Sequence, residues 1–406
     1  MLPIPLTHST TDRIVFLDVL RGAAVLVICW ANSLSFEGYY AQTAAELAAL
    51  SAPKLNAALY LATDVLVAGK WYSVFSILFG VGFALQAAKL RARGRSVGRF
   101  FTRRMLGLAL IGGVHLFGFW YGDILLLYAL LGLLLPLFVS CRDRTLLVWA
   151  GVLLLFPVAQ RYLMQVSGFD FDALLVELDH YLTDRQMSPL YINGWPDFAA
   201  FFRQYLRLTD WEELLRTNWG MWRLRLSSLL YQGRFFKVLA CFLLGLWAGR
   251  QIIHHELLDN RALLQNIWRY GLLVGLPLNG LLAFANTQAS PTWQLVGALA
   301  YAGGVVPLAG AYTAGLALWW RRAPDSLRWL APVGRLALTN YLLQTILSIN
   351  IYYGVGLDLA FQVPLWGVLL ITLGLIALQV AFSMLWLYFS RFGPVERMWR
   401  WWTYGV

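Results

Sequence analysis

Of the 406 residues, 59% are hydrophobic and only 13% are charged, half the roughly 25% charged share of ordinary soluble domains, which excludes that class. The net charge of +11 does not imply a nucleic-acid partner, because most Lys and Arg sit in short loops between apolar segments, as charge-directed orientation in a bilayer requires. The three cysteines, Cys29, Cys141 and Cys241, share no close spacing and form neither a disulfide framework nor a metal motif.

The pattern predicts an all-α, polytopic helical membrane protein whose main partner is the lipid bilayer. A span needs about 20 apolar residues, and ten segments qualify: 14–36, 66–90, 103–120, 123–140, 145–166, 234–252, 268–286, 297–320, 334–356 and 364–390. The first holds Asp18 and Arg21 and is followed by no small-residue cleavage site, so it reads as an uncleaved span. Residues 56–90 are too long for one span and too short for two. An outer approach helix over 56–65 is expected to run into the span near Gly69–Lys70. Segments 103–120 and 123–140 form a hairpin with almost no loop.

Residues 167–233 make one large loop, expected on the outer side, with DFDALLVELDHYL followed by a Trp- and Arg-rich amphipathic half expected to lie on the lipid surface. It separates an N-terminal five-helix half (1–166) from a C-terminal one (234–406). The loop from Lys89 to Arg104 holds seven Lys or Arg and no acid. With that loop cytoplasmic, Arg142/Arg144, Arg250/Arg261, Arg321/Arg322/Arg328 and Arg391/Arg397/Arg400 fall on the same side, and loops 121–123, 287–296 and 357–363 carry no Lys or Arg. Both termini are then expected in the cytoplasm.

A charged side chain at a span centre costs roughly 2.5–3.5 kcal/mol on insertion scales, so each such residue needs a partner or a wet cavity. Asp18 and Arg21 stand one helical turn apart and can pair; Arg21 is alternatively an anion contact. Asn32 can donate a hydrogen bond across helices, and Lys70 can snorkel to the surface. Ser73, Ser76, Gly80 and Gly82 allow close helix approach.

In GGVHLFGFWYGDILLLYALLG, His115 is the one histidine of five inside an expected span; His8, His180, His254 and His255 are not. It can exchange protons near neutral pH or bridge helices by a hydrogen bond. Asp123 opens the returning helix, where a carboxylate caps the N-terminus. With Trp120, Tyr121 and Tyr128 the two suggest a polar pocket. Arg335, Thr339, Asn340 and Gln344 form a polar stripe in one span, read as cavity lining rather than helix interface. No dinucleotide fingerprint, P-loop, GxSxG elbow, HExxH or zinc spacing appears.

FLDVLRG, GKWYSVFSILFGVGFALQ and RRMLGLALIGGVHLFGFWYGDILLLYALLG resemble the N-terminal half of YeiB-like bacterial inner-membrane proteins. GRLALTNYLLQTIL, YYGVGLDL and RFGPVERMWRWWTYG resemble their C-terminal domain of unknown function. The resemblance covers most of the chain outside 167–233 and implies a multi-pass protein of the bacterial cytoplasmic membrane. The N-terminal signature is also distantly similar to heparan-α-glucosaminide N-acetyltransferases and other transmembrane acyltransferases. That implies transfer from cytoplasmic acyl-CoA, for instance acetyl-CoA, to a small-molecule acceptor such as a sugar or envelope component. Those relatives carry a histidine in the outer loop after the first span; EGYYAQTAAELAALSAPKLN holds none, and His115 is the substitute base.

The acyltransferase reading gives His115 the role of base and Asp123 that of orienting it. Asn340 or Gln344 polarises the thioester, and Arg21, Arg103, Arg104 and Arg335 hold the phosphates. Asp18, Asn32, Lys70, Trp120, Tyr128 and Thr339 complete the expected binding set, with no metal. The alternatives are a transporter of a small amphiphile or envelope precursor using the same cavity, and a non-enzymatic assembly factor. A homo-oligomer is compatible with any of them.

Overall fold

The computed structural model describes residues 10–169, 171 and 198–405; His8, His180 and all of DFDALLVELDHYL but Phe171 lie outside them. Among the described residues there are α-helices and short 3₁₀ turns, with no strand. The N-terminal half supplies α1 (Thr10–Glu37), α2 (Ala44–Ala49), α3 (Pro53–Leu66), α4 (Lys70–Ala92), α5 (Val97–Gly118), α6 (Leu125–Gly132), α7 (Leu135–Phe138) and α8 (Asp143–Ser167). The connecting region supplies α9 (Phe198–Leu206), α10 (Trp211–Gly220) and α11 (Trp222–Tyr231). The C-terminal half supplies α12 (Arg234–Ile253), α13 (Arg261–Ala285), α14 (Pro291–Arg322), α15 (Leu330–Arg335), α16 (Ala337–Tyr352), α17 (Leu365–Phe389) and α18 (Pro394–Tyr404).

Eight helical stretches among the described residues are long and apolar enough to cross a membrane: Val15–Ala41, Pro53–Ala92, Val97–Gly118, Asp143–Ser167, Arg234–Ile253, Arg261–Ala285, Pro291–Arg322 and Leu365–Phe389. The other two expected segments are broken helices. Segment 123–140 divides into α6 and α7, since Pro136 has no N–H for the helical ladder. Segment 334–356 divides into α15 and α16 at Leu336, and the first N–H groups of α16 are satisfied from outside. Glu396 Oε1 accepts from Leu338 N at 2.8 Å and Thr339 N at 3.0 Å. A broken helix is viable at membrane depth only where protein or water satisfies the freed groups, and Glu396 does so here.

The junction of α3 and α4 falls at Gly69, whose φ of 85° suits glycine far better than any residue with a Cβ. The turn redirects the chain where the approach helix was expected to meet the span. The two halves interlock: α4 packs on α12 and α1 on α15. At the second crossing the backbones touch. A Cβ on Gly22 would stand 2.1 Å from the Leu330 carbonyl oxygen, and one on Gly334 1.8 Å from that of Asp18. Such small-residue contact replaces the hydrophobic drive that lipid cannot supply. Outward faces are apolar, as Leu163 and Val166 on α8, Leu273 on α13 and Leu385 and Phe389 on α17 illustrate.

The Trp- and Arg-rich region, expected on the lipid surface, packs in part against the helices of the N-terminal half. Trp211 and Trp219 are exposed, but Arg225 is buried. Helix α10 docks on α5, where Asn218 Nδ2 donates to the Leu116 carbonyl at 3.0 Å. Arg203 of α9 grips Glu46 through both Nη atoms at 2.6 and 3.0 Å. Those two hydrogen bonds, ahead of the Thr43 backbone and hydroxyl, hold the Glu46 carboxyl down at about 2.

Candidate functional site

A cavity of about 1170 Å³ runs between α1, α4, α5, α6, α11 and the α15–α16 break. Helix α1 lines it with Asp18, Arg21, Val25, Ile28, Asn32 and Ser35. Their alternating steps of three and four residues form one helical stripe. Its 17 residue steps cover roughly 26 Å at 1.5 Å per residue, close to the thickness of a bilayer's hydrocarbon core. Helix α4 presents a matching stripe of Tyr72, Phe75, Phe79, Gly82, Gln86 and Lys89. It runs the opposite way, so Lys89 lies toward the Arg21 end and Tyr72 toward the other. Val25, Ile28, Phe75, Leu78, Phe79 and Leu125 make an apolar waist.

One end is strongly basic. Arg21, Arg104, Arg335, Arg391 and Arg400 line it against two carboxylates, Asp18 and Glu396. Arg21 Nη1 meets Asp18 Oδ1 at 2.7 Å, and Arg335 Nη2 donates to the Arg391 carbonyl at 3.0 Å. Arg104 lies 3.9 Å over the Trp399 ring and Arg400 4.1 Å over Phe392. Stacking fixes a guanidinium while leaving its N–H edge available to an anion. With Glu396 committed to capping α16, the positive charge exceeds its counter-charge.

The opposite end is aromatic, with Tyr40, Tyr60, Trp120 and Tyr121 beside Asp64, Arg225 and Arg234. Trp120 stacks on Phe36 at 4.4 Å. The Arg225 guanidinium donates to the Asp123 carbonyl. Burial first and the nearby Arg234 cation second lower the Arg225 pKa to about 10, leaving it charged at neutral pH.

His115 and Asp123 are brought together, but behind this wall. His115 Nδ1 lies 2.8 Å from Asp123 Oδ1 and Nε2 2.9 Å from Thr345 Oγ1; Asp123 Oδ2 accepts from Leu126 N at 2.7 Å. In a neutral ring facing an ionised carboxylate, Nδ1 carries the proton and Nε2 accepts from the hydroxyl. Exposures are 2% for His115 and 3% for Asp123. The cavity wall is made instead by their neighbours Trp120, Gly122, Ile124 and Tyr341. This corrects the expected wet pocket around the pair. Every polar atom finds a partner between α5, α6 and α16, so packing meets the solvation cost without water.

The stripe on α16 is corrected likewise. Asn340 Nδ2 donates to Ser383 Oγ at 2.9 Å, and Gln344 Nε2 to Gln379 Oε1 at 3.0 Å and the Val25 carbonyl at 3.1 Å. Gln379 Nε2 returns a bond to the Asn340 carbonyl at 3.0 Å. Thr339 donates its hydroxyl to Glu396. These three residues tie α1, α16, α17 and α18 together and do not line the cavity; Arg335 does. Lys70 does not snorkel. It is fully buried, with Nζ on the Asp64 carbonyl at 2.6 Å. Arg103 is exposed and outside the cavity.

Asp18, Arg21, Asn32, Arg104, Trp120, Tyr128 and Arg335 are thus the expected residues that do line it. Arg225, Arg234, Arg391, Arg400 and Glu396 went unforeseen. The three-and-four stripe on α1 was a usable signal; nothing in the sequence marked which loop arginines fold inward.

Residues 248–406 match the family model described as protein of unknown function (DUF418). Bacillus subtilis YxaH, an uncharacterised protein, is 32% identical over 97% of this chain and 95% of its own length. The chain belongs to this YeiB-like family. Escherichia coli YeiB, also uncharacterised, is 28% identical over 96% of each chain, and a 39.9 kDa protein of Bacillus acidopullulyticus is 28% identical over 97% of this chain and 94% of its own. No solved structure matches the chain.

Proposed function

We propose that this YeiB-like protein is a membrane-embedded acyltransferase that takes an acyl group from a phosphate-bearing thioester of the acyl-CoA class, at the basic end of the cavity. The carrying observation is the excess of five arginines over two engaged carboxylates at the mouth of an apolar, bilayer-length passage. Polyanion and apolar chain are then met in the order in which an acyl-CoA presents them. The acyl C–S bond breaks, a bond to an acceptor oxygen or nitrogen forms, and the acceptor's proton ends on the departing thiolate. His115 and Asp123, sealed behind Trp120 and Tyr341, position that wall rather than touch the reacting atoms.

Purified protein in neutral detergent should bind octanoyl-CoA and release free CoA in the presence of acceptor. Replacing Arg21 and Arg335 by Gln should weaken binding tenfold or more, since each charge-assisted bond contributes about 1.5–3 kcal/mol. Binding that ignores both substitutions would overturn the assignment of the basic end. A second reading, a carrier of an anionic amphiphile without covalent chemistry, draws on the sealing of His115. It predicts the same binding with no CoA released under any acceptor.

A further inference from the structure

The end of the cavity opposite the arginine cluster carries its own unsatisfied positive charge. Arg225 is 8% exposed and lines the cavity, with one hydrogen bond, to the backbone of Asp123. Its buried Nε has no partner, and neither does the buried indole Nε1 of Trp120 on the same wall. Arg234 lines the same end, with its Nε on Gln232 Oε1 at 2.6 Å. Among the described residues, neither guanidinium forms an ion pair and Asp64 is the single carboxylate lining that end. Orphaned buried donors are rare because each one costs free energy. Two guanidinium-bearing residues lining a common void with one carboxylate beside them, one of the two 8% exposed with an unspent donor, together describe an anion receptor. Tyr40, Tyr60, Trp120 and Tyr121 add flat faces of the kind that pack on a sugar ring or glycerol backbone.

We infer that this end is a second ligand subsite and that it takes an anionic group, a phosphate or carboxylate carried on a polyol, held by Arg225 and Arg234. Within the acyltransferase reading, on which this use rests, it makes the acceptor an anionic, hydroxyl-bearing molecule. Donor and acceptor then enter opposite ends of one passage, each held by its own arginines. The shared chemistry, anionic oxygens beside hydroxyls, is offered both by soluble sugar phosphates and by anionic glycerophospholipid headgroups.

The test measures binding in neutral detergent, without acyl-CoA, for glucose 6-phosphate, for neutral glucose and for micelles doped with phosphatidylglycerol. Arg225→Gln and Arg234→Gln are compared with the unaltered protein. Glucose 6-phosphate or phosphatidylglycerol should bind, glucose should bind at least tenfold more weakly, and each substitution should cost fivefold or more. Arg234→Gln removes no bond to a buried group, so it reports even if Arg225→Gln fails to fold. Octanoyl-CoA binding by Arg234→Gln is measured alongside and should stay unchanged. Anion binding that depends on Arg234 while octanoyl-CoA never binds would uphold this subsite and sink the donor assignment. Normal octanoyl-CoA binding, with anions bound no better than glucose or indifferent to Arg234, would overturn the subsite alone.

Discussion

Two kinds of polar residue share the membrane depth of this protein. The His115–Asp123–Thr345 and Asn340–Gln344–Gln379 groups are knotted between helices, each donor matched to an acceptor within 3.1 Å. Asp18, Arg21, Asn32 and Ser35 instead follow one stripe of α1 into the cavity. Lipid penalises both groups alike. In the first the penalty on every donor is met by a partner, with Asn340 Oδ1 and Gln344 Oε1 left as buried acceptors without one. In the second it is met by the cavity together with the Asp18–Arg21 ion pair. Knots are therefore expected to govern stability and the stripe to govern binding.

The largest effect should follow breaking a knot. Asp123→Ala leaves the His115 imidazole and the Leu126 N–H unsatisfied, at about 1–3 kcal/mol each, and the melting temperature in detergent should fall further than in any variant below. Next, Gly334→Ala drives a Cβ into the Asp18 carbonyl. Overpacking of that kind costs about 1–3 kcal/mol, and moving α15 should also displace Arg335, so both melting and octanoyl-CoA binding should suffer. Thr345→Val removes one hydrogen bond and should cost about 1 kcal/mol in the same melting assay.

Ile28→Trp sharpens the contrast from the other side. It adds bulk to the apolar waist and should abolish octanoyl-CoA binding while melting shifts little. The smallest effect concerns Glu46, whose folded pKa of about 2 lies below the ordinary 4.5. A depressed carboxyl stabilises above its unfolded value and loses that contribution as pH falls through the folded one. Stability should therefore decline between about pH 4.5 and 2, and Arg203→Ala should flatten that part of the profile.

Hydropathy and loop charge were enough to read a helical membrane protein, the hairpin and the Gly69 break, because lipid enforces them on every segment. Which polar residues face water was harder to read. Thr339, Asn340 and Gln344 look like a cavity stripe at helical spacing, and only the facing Gln379 and Ser383 on α17, about 40 residues away, show them to be an interface. Asp18, Arg21, Val25, Ile28, Asn32 and Ser35 keep the three-and-four rhythm from residue 18 to residue 35 of α1 and were legible in principle. Arg225 was not. Its burial depends on how a long loop folds back over the hairpin tip, which no local pattern encodes.

Thiol accessibility separates lining from knot most directly. With Cys29, Cys141 and Cys241 replaced by alanine, Ile28→Cys should react rapidly with a water-soluble maleimide, whereas Thr345→Cys at similar depth should resist it until the protein unfolds. Equal protection of both positions would mean that no aqueous passage exists, and equal labelling would mean that the His115 node is not sealed; either contradicts the division of polar residues argued above.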